Sequence, residues 1–307
     1  MIVDGHCDTL KEAWKRDLSL DSTLLNFNIM DTKTPMIQMM AIYISPEEAE
    51  NGFEVAEKVI AKFEREKENH KNIVQIYNRE DIEKVRDDKI GIILTAENGS
   101  IIQGNLNNID KLYDKGIRIM SIVWNEQNDL ASGALTKEDK GLTKLGIEYV
   151  KYLNKKNILI DVSHASEKTF WDTIKYTTKP VVATHSCAYN ICNHPRNLKD
   201  NQIRQIAKRE GIIGIPFCSQ FLNRTGKANI QDIIKHIKYI KKLVGIDYVG
   251  IGSDFDGLDE EDILADMKSV KDIWKLEKEL KKENFTKQEI NKVLGDNWIR
   301  VLKSNMD

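Results

Sequence analysis

The sequence predicts a β/α barrel, and three observations carry that expectation. About eight short runs rich in Ile, Val and Leu recur along the 307 residues, and helix-sized amphipathic segments separate most of them. The runs are nearly continuous in apolar residues instead of alternating, the pattern of a parallel sheet covered on both faces. Eight strands, each followed by a helix, is the arithmetic of a (β/α)8 TIM barrel; a doubly wound open sheet is the alternative. No Pro/Gly/Ser linker, repeat or low-complexity tract divides the chain, so residues 1–307 are expected to form one domain.

Taken in order, the strands are expected at residues 2–6, 37–44, 90–96, 117–124, 158–163, 181–185, 212–217 and 248–253. Helical periodicity fills 46–70, 108–115, 142–155, 167–176, 199–209 and 230–244. The lysine blocks at 235–242 and 275–282 are interleaved with Ile and Leu, as on the solvated faces of amphipathic helices. The tail, 262–307, reads as helical, broken near Asn284 and Gly295, and is expected to pack across the barrel.

Composition excludes several classes of function. The 46 basic and 48 acidic residues nearly cancel and form no basic stripe, so the footprint of a nucleic-acid binder is missing. No apolar run approaches the ~18 residues of a membrane span. The opening MIVDGHCDTL lacks the features of a secretory signal, and no membrane partner and a cytoplasmic location are expected. Cys7, Cys187, Cys192 and Cys218 form no C-x-x-C pair and are expected to be reduced, buried thiols.

Side chains of metal-ligand type fall at the C-terminal ends of the expected strands, which is the active face of a β/α barrel. The first run ends His6-Cys7-Asp8. Residues i and i+2 of a strand share a side, so His6 and Asp8 can hold one ion while Cys7 faces away, although H-x-D alone is a weak signal. The third run ends at Glu97, a carboxylate that either sits at the surface or bridges two ions with its two oxygens. The fifth and sixth lead to His164 and His185. One strand-end histidine is most often a satisfied core or loop group; two on successive strands, with Glu97 and H-x-D, converge if all point inward.

The eighth run leads to Asp254-Phe255-Asp256-Gly257. Gly250-Ile251-Gly252 lacks the third glycine of a dinucleotide fingerprint and opens no helix, and the acidic block lacks the remaining spacing of a calcium loop. Asp254 reads best as a proton carrier over the site. The other histidines have plainer readings. His70, in a charged run, is expected to be exposed; His236 belongs to a lysine-rich helix; His194 either lines a pocket or serves its own loop.

Val3-Asp4-Gly5-His6-Cys7-Asp8, Asp161-Val162-Ser163-His164, Thr184-His185-Ser186, His194-Pro195-Arg196-Asn197-Leu198 and Gly252-Ser253-Asp254-Phe255-Asp256-Gly257 resemble, in order, the signature blocks of the renal (membrane) dipeptidase family. These are zinc metallopeptidases on a metal-dependent-hydrolase barrel. Leu294-Gly295-Asp296-Asn297-Trp298-Ile299-Arg300-Val301 resembles the family's closing helix, so the resemblance covers nearly the whole chain. It implies two Zn2+ per chain, with other divalent metals admissible: His6 and Asp8 on one, His164 and His185 on the other, Glu97 bridging. Hydroxide between the ions would attack the peptide carbonyl of a small dipeptide, some with a C-terminal D-residue included. Asp254 would pass a proton to the leaving amine, and Arg196 would pair with the substrate carboxylate through its planar fork. Relatives tend to be dimers, which leaves a homodimer open here.

One departure stands out. Mammalian members carry, after the fourth strand, a histidine that contacts the tetrahedral intermediate; the matching position here is Trp124. An indole N–H donates a hydrogen bond but accepts no proton. Trp124 is therefore a donor or a pocket wall, and oxyanion stabilisation falls to Asn125, Asn128 or the metal. This keeps open an acylamino-acid amidohydrolase or a lactonase on the same site, and a catalytically inactive metal-binding homologue.

Overall fold

The structure is a computed structural model and describes residues 1–33 and 35–306; Asp307, the end of the expected tail, lies outside them. Among the described residues nine parallel strands form one sheet: β1 (Ile2–Cys7), β2 (Met36–Tyr43), β3 (Ile73–Gln75), β4 (Ile90–Glu97), β5 (Ile117–Ser121), β6 (Leu159–Asp161), β7 (Val181–Ala183), β8 (Ile212–Ile215) and β9 (Val249–Ile251). β2 pairs with both β1 and β4, which closes eight strands into a ring and rules out the open sheet. The eight expected runs are the eight ring strands. β3 was not foreseen; three residues long, it flanks the early half of β4 outside the ring.

Several strands end sooner than their apolar runs suggest. β5 stops at Ser121, β6 at Asp161 and β7 at Ala183, so Trp124, His164 and His185 sit on the first loop residues beyond them. There the backbone turns inward and leaves the ladder. His164 (φ 67°) and Asp254 (φ 67°) adopt the left-handed region, which His and Asp tolerate better than most residues.

The ring interior is apolar below the loops, with Val3, Ile37, Met39, Ile93, Ile119, Leu159, Val182 and Ile212 facing one another. The C-terminal helix Asn297–Asn305 completes this core with Trp298, Val301 and Leu302. It is held at the N-terminal end of the barrel. The Asn297 side-chain amide donates to the Ile246 and Val249 carbonyls, and Arg300 donates to those of Gly211 and Asp247. Trp298 then reaches up the inside of the ring to Gly5 and Gly250, where a Cβ on Gly5 would lie 2.3 Å from the indole. Its Nε1–H donates to the Ile251 carbonyl at 2.8 Å.

The tail therefore packs across the barrel, and it breaks at Asn284 (φ 63°). At Gly295 it does not break. Lys292–Asp296 widens into a π turn that joins Lys287–Asn291 to Asn297–Asn305, with Gly295 against the Met1 carbonyl, where a Cβ would lie at 2.5 Å.

The helix Ile230–Val244 buries Ile233, Ile234, Ile237 and Ile240, and with them His236, which belongs to the core and not to the lysine face. His70 is half-buried instead of exposed, because Glu66 and Ser19 both approach its ring. All four cysteines are free and buried. Among the described residues no helix is long and apolar enough to cross a membrane.

Candidate metal centre

A bulge in β1 builds the first part of the site. Asp4 pairs with Gln38 and Cys7 with Met40, so three steps of β1 face two of β2. The extra residue switches the facing of the strand. Val3 and Gly5 point into the ring, and after the bulge so does His6, while Cys7 turns out into the helix-facing core. The bulge is clamped from β9: the Ser253 amide and hydroxyl both donate to the buried Asp4 carboxylate, at 2.7 and 2.5 Å.

The strand ends bring the six acidic and imidazole groups together. His6 Nε2 lies 3.3 Å from Asp8, 3.6 Å from Glu97 and 3.7 Å from Asp254. His164 Nε2 is 2.8 Å from Glu97 Oε1 and also 2.8 Å from His185 Nε2. Glu97 is thus the shared member, reaching His6 with one oxygen and His164 and His185 with the other. All six side chains are buried.

Crowding sets their charges. Burial pushes Asp8 up to about 7, helped by the Glu97 charge. Burial likewise lifts Asp254 to about 6, with Glu97 adding to it against His6 and Arg196. Burial also opposes ionisation of Glu97, but His6 and His164 together hold it well below the carboxylate range. The imidazoles divide. His164 is depressed to about 3 by burial and then by Arg196, and His185 is depressed by burial and by the other two rings. His6 goes the other way, since Glu97 and Asp8 outweigh its burial.

These residues fit divalent metal ions. His164 Nδ1 faces the Asn125 side-chain Oδ1 at 2.8 Å and His185 Nδ1 faces the Thr184 hydroxyl at 2.9 Å, which puts each ring proton on Nδ1. Two Nε2 lone pairs then meet at 2.8 Å beside a carboxylate, a repulsive arrangement that a cation relieves. His6 Nε2 and Asp8 Oδ1 are buried without a hydrogen-bond partner among the described residues. His6, Glu97 and His185 form one group of converging ligand atoms, and His6, Asp8 and Asp254 another.

The cluster forms the floor of a cleft of about 620 Å³ whose walls include Tyr43, Trp124, Leu135, His194, Arg196 and Phe221. Arg196 is buried, lies over the Phe221 ring and makes no ion pair among the described residues; its Nε is without a partner. His194 both lines the cleft and accepts the Arg196 amide. Trp124 stands as a wall between Tyr43 and His164, with ring centroids 5.3 and 5.9 Å away. Asn125 lies at the cleft, but its side-chain Oδ1 is directed at His164. The Asn128 side chain is used within its loop, by Asn98, Ile122, Leu130 and Ala131, and stands apart from this cleft. Asp256 is likewise committed, accepting from Thr9, Asn26 and Phe27, which leaves Asp254 as the free acid of its block.

Sequence reasoning missed Tyr43, Asp161 and Thr184. Tyr43 is in register with Glu97 and ends β2 at the cleft, a position that marks it in retrospect. Asp161, an acid that ends an apolar run, and Thr184 both stand in the blocks that carry the family resemblance, but neither is singled out for a role of its own.

A buried imidazole–carboxylate cluster at the C-terminal mouth of a closed β/α barrel defines the class of metal-centred barrel enzymes. The chain belongs to the membrane dipeptidase family (Peptidase family M19), whose model matches residues 1–306. It is 36% identical over 235 residues to the uncharacterized protein in the pqqA 5' region of Klebsiella pneumoniae, covering 73% of this chain and 86% of that one. It is 31% identical over 222 residues to an uncharacterized dipeptidase of Schizosaccharomyces pombe, covering 70% of this chain and 53% of that longer one. Its fold is similar to that of a metallo peptidase from Rhodobacter sphaeroides liganded with a phosphinate mimic of the dipeptide L-Ala-D-Ala, with a TM-score of 0.90, 22% identity and 99% of each chain covered.

Proposed function

We propose that this chain is a binuclear zinc dipeptidase acting on dipeptides with a free C-terminal carboxylate, some with a D-residue there. The observation that carries the reading is the pairing of two features in one cleft. Unprotonated Nε2 atoms and crowded carboxylates converge, and beside them lies a buried arginine without an acidic partner. A cluster of that kind wants cations, and such an arginine wants a carboxylate. Family membership and the Rhodobacter complex with a dipeptide mimic support the same substrate class.

His6 and Asp8 would hold one ion, His164 and His185 the other, and Glu97 would reach both. Bound there, zinc would supply hydroxide near neutral pH and polarise the scissile carbonyl. Arg196 fixes the substrate by its carboxylate. Asp254, at the cluster beside His6 and without a hydrogen bond that commits it elsewhere in its block, accepts a proton and delivers it to the leaving nitrogen. The Trp124 wall offers an indole N–H, and Tyr43 a hydroxyl, as neutral donors to the developing oxyanion.

Metal analysis with a dipeptide panel tests this. Protein purified without chelator is expected to carry about two equivalents of zinc and to cleave the panel. Arg196→Ala is expected to raise KM about 10–100-fold for carboxylate-bearing substrates, the loss of a charged bidentate contact. Absence of metal, or no turnover by the zinc-loaded protein, overturns the proposal. Faster cleavage of lactones, indifferent to Arg196→Ala, would favour the lactonase reading.

A further inference from the structure

We infer that Thr184, backed by Asp161, is a positioning residue that orients one histidine of each metal site through a single hydroxyl. Asp161 Oδ1 accepts the backbone N–H groups of Ser163 (2.9 Å) and Thr184 (3.0 Å), and Oδ2 accepts the Thr184 hydroxyl at 2.5 Å. A carboxylate only accepts, so the hydroxyl proton is committed to it. The oxygen keeps only lone pairs for its other neighbours, His185 Nδ1 at 2.9 Å, His6 Nδ1 at 3.4 Å and the Ser163 hydroxyl at 3.4 Å. A ring that bonds this oxygen therefore presents N–H at Nδ1, which aims its Nε2 at the cluster; the shorter contact makes this firmest for His185.

The wedge is held rigidly. A Cβ on Gly252 would lie 1.7 Å from the Thr184 carbonyl oxygen, and one on Gly214 would lie 2.1 Å from it. This accounts for the G-x-G that runs through the end of β9: Gly250 makes room for Trp298 and Gly252, just beyond the strand, for Thr184. His164 is served separately by Asn125. In the proposed assignment His6 and His185 belong to different ions, so one hydroxyl supports both sites. That part rests on the proposed function.

Three variants test it. Thr184→Val removes the hydroxyl at nearly constant shape, Thr184→Ser retains it, and Asp161→Asn inverts it. The asparagine oxygen would keep the two backbone bonds while its amide donates to Thr184, freeing the hydroxyl proton to point at a histidine. Zinc affinity is read by competition with a chromogenic chelator, and the tautomer of His185 by nitrogen-15 spectra of ion-free protein. Thr184→Val and Asp161→Asn are each expected to weaken both sites about 10–100-fold, with Thr184→Ser close to wild type. His185 is expected to shift from the Nδ1–H toward the Nε2–H form in the same two variants. Asn125→Ala is expected to weaken one site alone. Wild-type affinity at both sites in Thr184→Val, or an unchanged His185 tautomer in Asp161→Asn, overturns the inference. If wild type binds no ion the dipeptidase reading falls, while the tautomer spectra still decide the role of Thr184.

Discussion

Trp298 fills the lower part of the barrel beside β1 and β9, where those strands carry Gly5 and Gly250; one residue after Gly5 the same strand places His6 among carboxylates. Below that level the groups that seat the plug are matched, the indole N–H by the Ile251 carbonyl and the Asn297 amide by two more, while Arg300 Nε and Asn305 Oδ1 on the same helix are not. Above it, His6 Nε2, Asp8 Oδ1 and Arg196 Nε are buried without a hydrogen-bond partner among the described residues. An unmatched buried polar atom costs about 1–3 kcal/mol, more if charged. The difference between the ends shows where stability is made and where it is given up. The apolar plug lets the mouth remain frustrated, and the frustration is what a pair of cations and a substrate carboxylate would relieve.

Substitutions at the two ends should therefore fail in opposite ways. Asp254→Asn is expected to lower kcat about 10²–10⁴-fold, the range for losing a positioned acid–base group. The fold should be unharmed and the ion-free protein as stable as wild type or more so, because one of three carboxylates crowding His6 is neutralised. Kinetics with urea unfolding in chelator checks both halves; a stability loss as large as the kinetic loss would erase the distinction. Trp298→Ala is the converse. It removes a fully buried indole from the ring interior and is expected to cost about 3–5 kcal/mol. Molecules that remain folded should still bind zinc, as unfolding midpoints with metal analysis of the native fraction would show. Loss of metal without loss of stability would mean that the plug sets the mouth geometry directly.

The two ends also differed in how legible they were. The mouth could be read because its residues break apolar runs: a histidine or acid after Ile, Val and Ala is conspicuous, as at Glu97, His164 and His185. Such a break names the residue but not its backbone. The β1 bulge that turns His6 inward comes from the clamp of Asp4 by Ser253, nearly the whole chain away. The plug was legible only as an amphipathic tail, because what makes Trp298 a barrel residue is the missing side chains of Gly5 and Gly250 on distant strands. Thr184 escaped notice for a related reason. In sequence it is a β-branched residue ending a strand, and its role lies in which atom its hydroxyl proton faces.

His236 sharpens the comparison from the helix behind the mouth, as a buried polar group that is fully matched. The Ala188 amide donates to its Nδ1 at 3.0 Å and its Nε2 lies 2.9 Å from the Leu222 carbonyl, so the ring ties together the loops after β7 and β8 that carry Arg196 and Phe221. Nδ1 must accept, so only the neutral ring satisfies both bonds. Burial, its chief influence, lowers the His236 pKa from 6.5 to about 4. The unfolded chain then binds this proton before the folded one does. The contribution to stability is complete above pH 6.5 and is lost as pH falls from 6.5 through about 4, a total of about 3 kcal/mol. Urea unfolding of ion-free wild type and His236→Gln between about pH 7 and about pH 4 isolates it, since the other titrating groups are common to both. Wild type is expected to lose up to about 3 kcal/mol more than the variant over that interval, whatever the variant costs at neutral pH. Parallel stability curves would show that His236 is already charged in the folded protein, and that this part of the mouth is as frustrated as the cluster it supports.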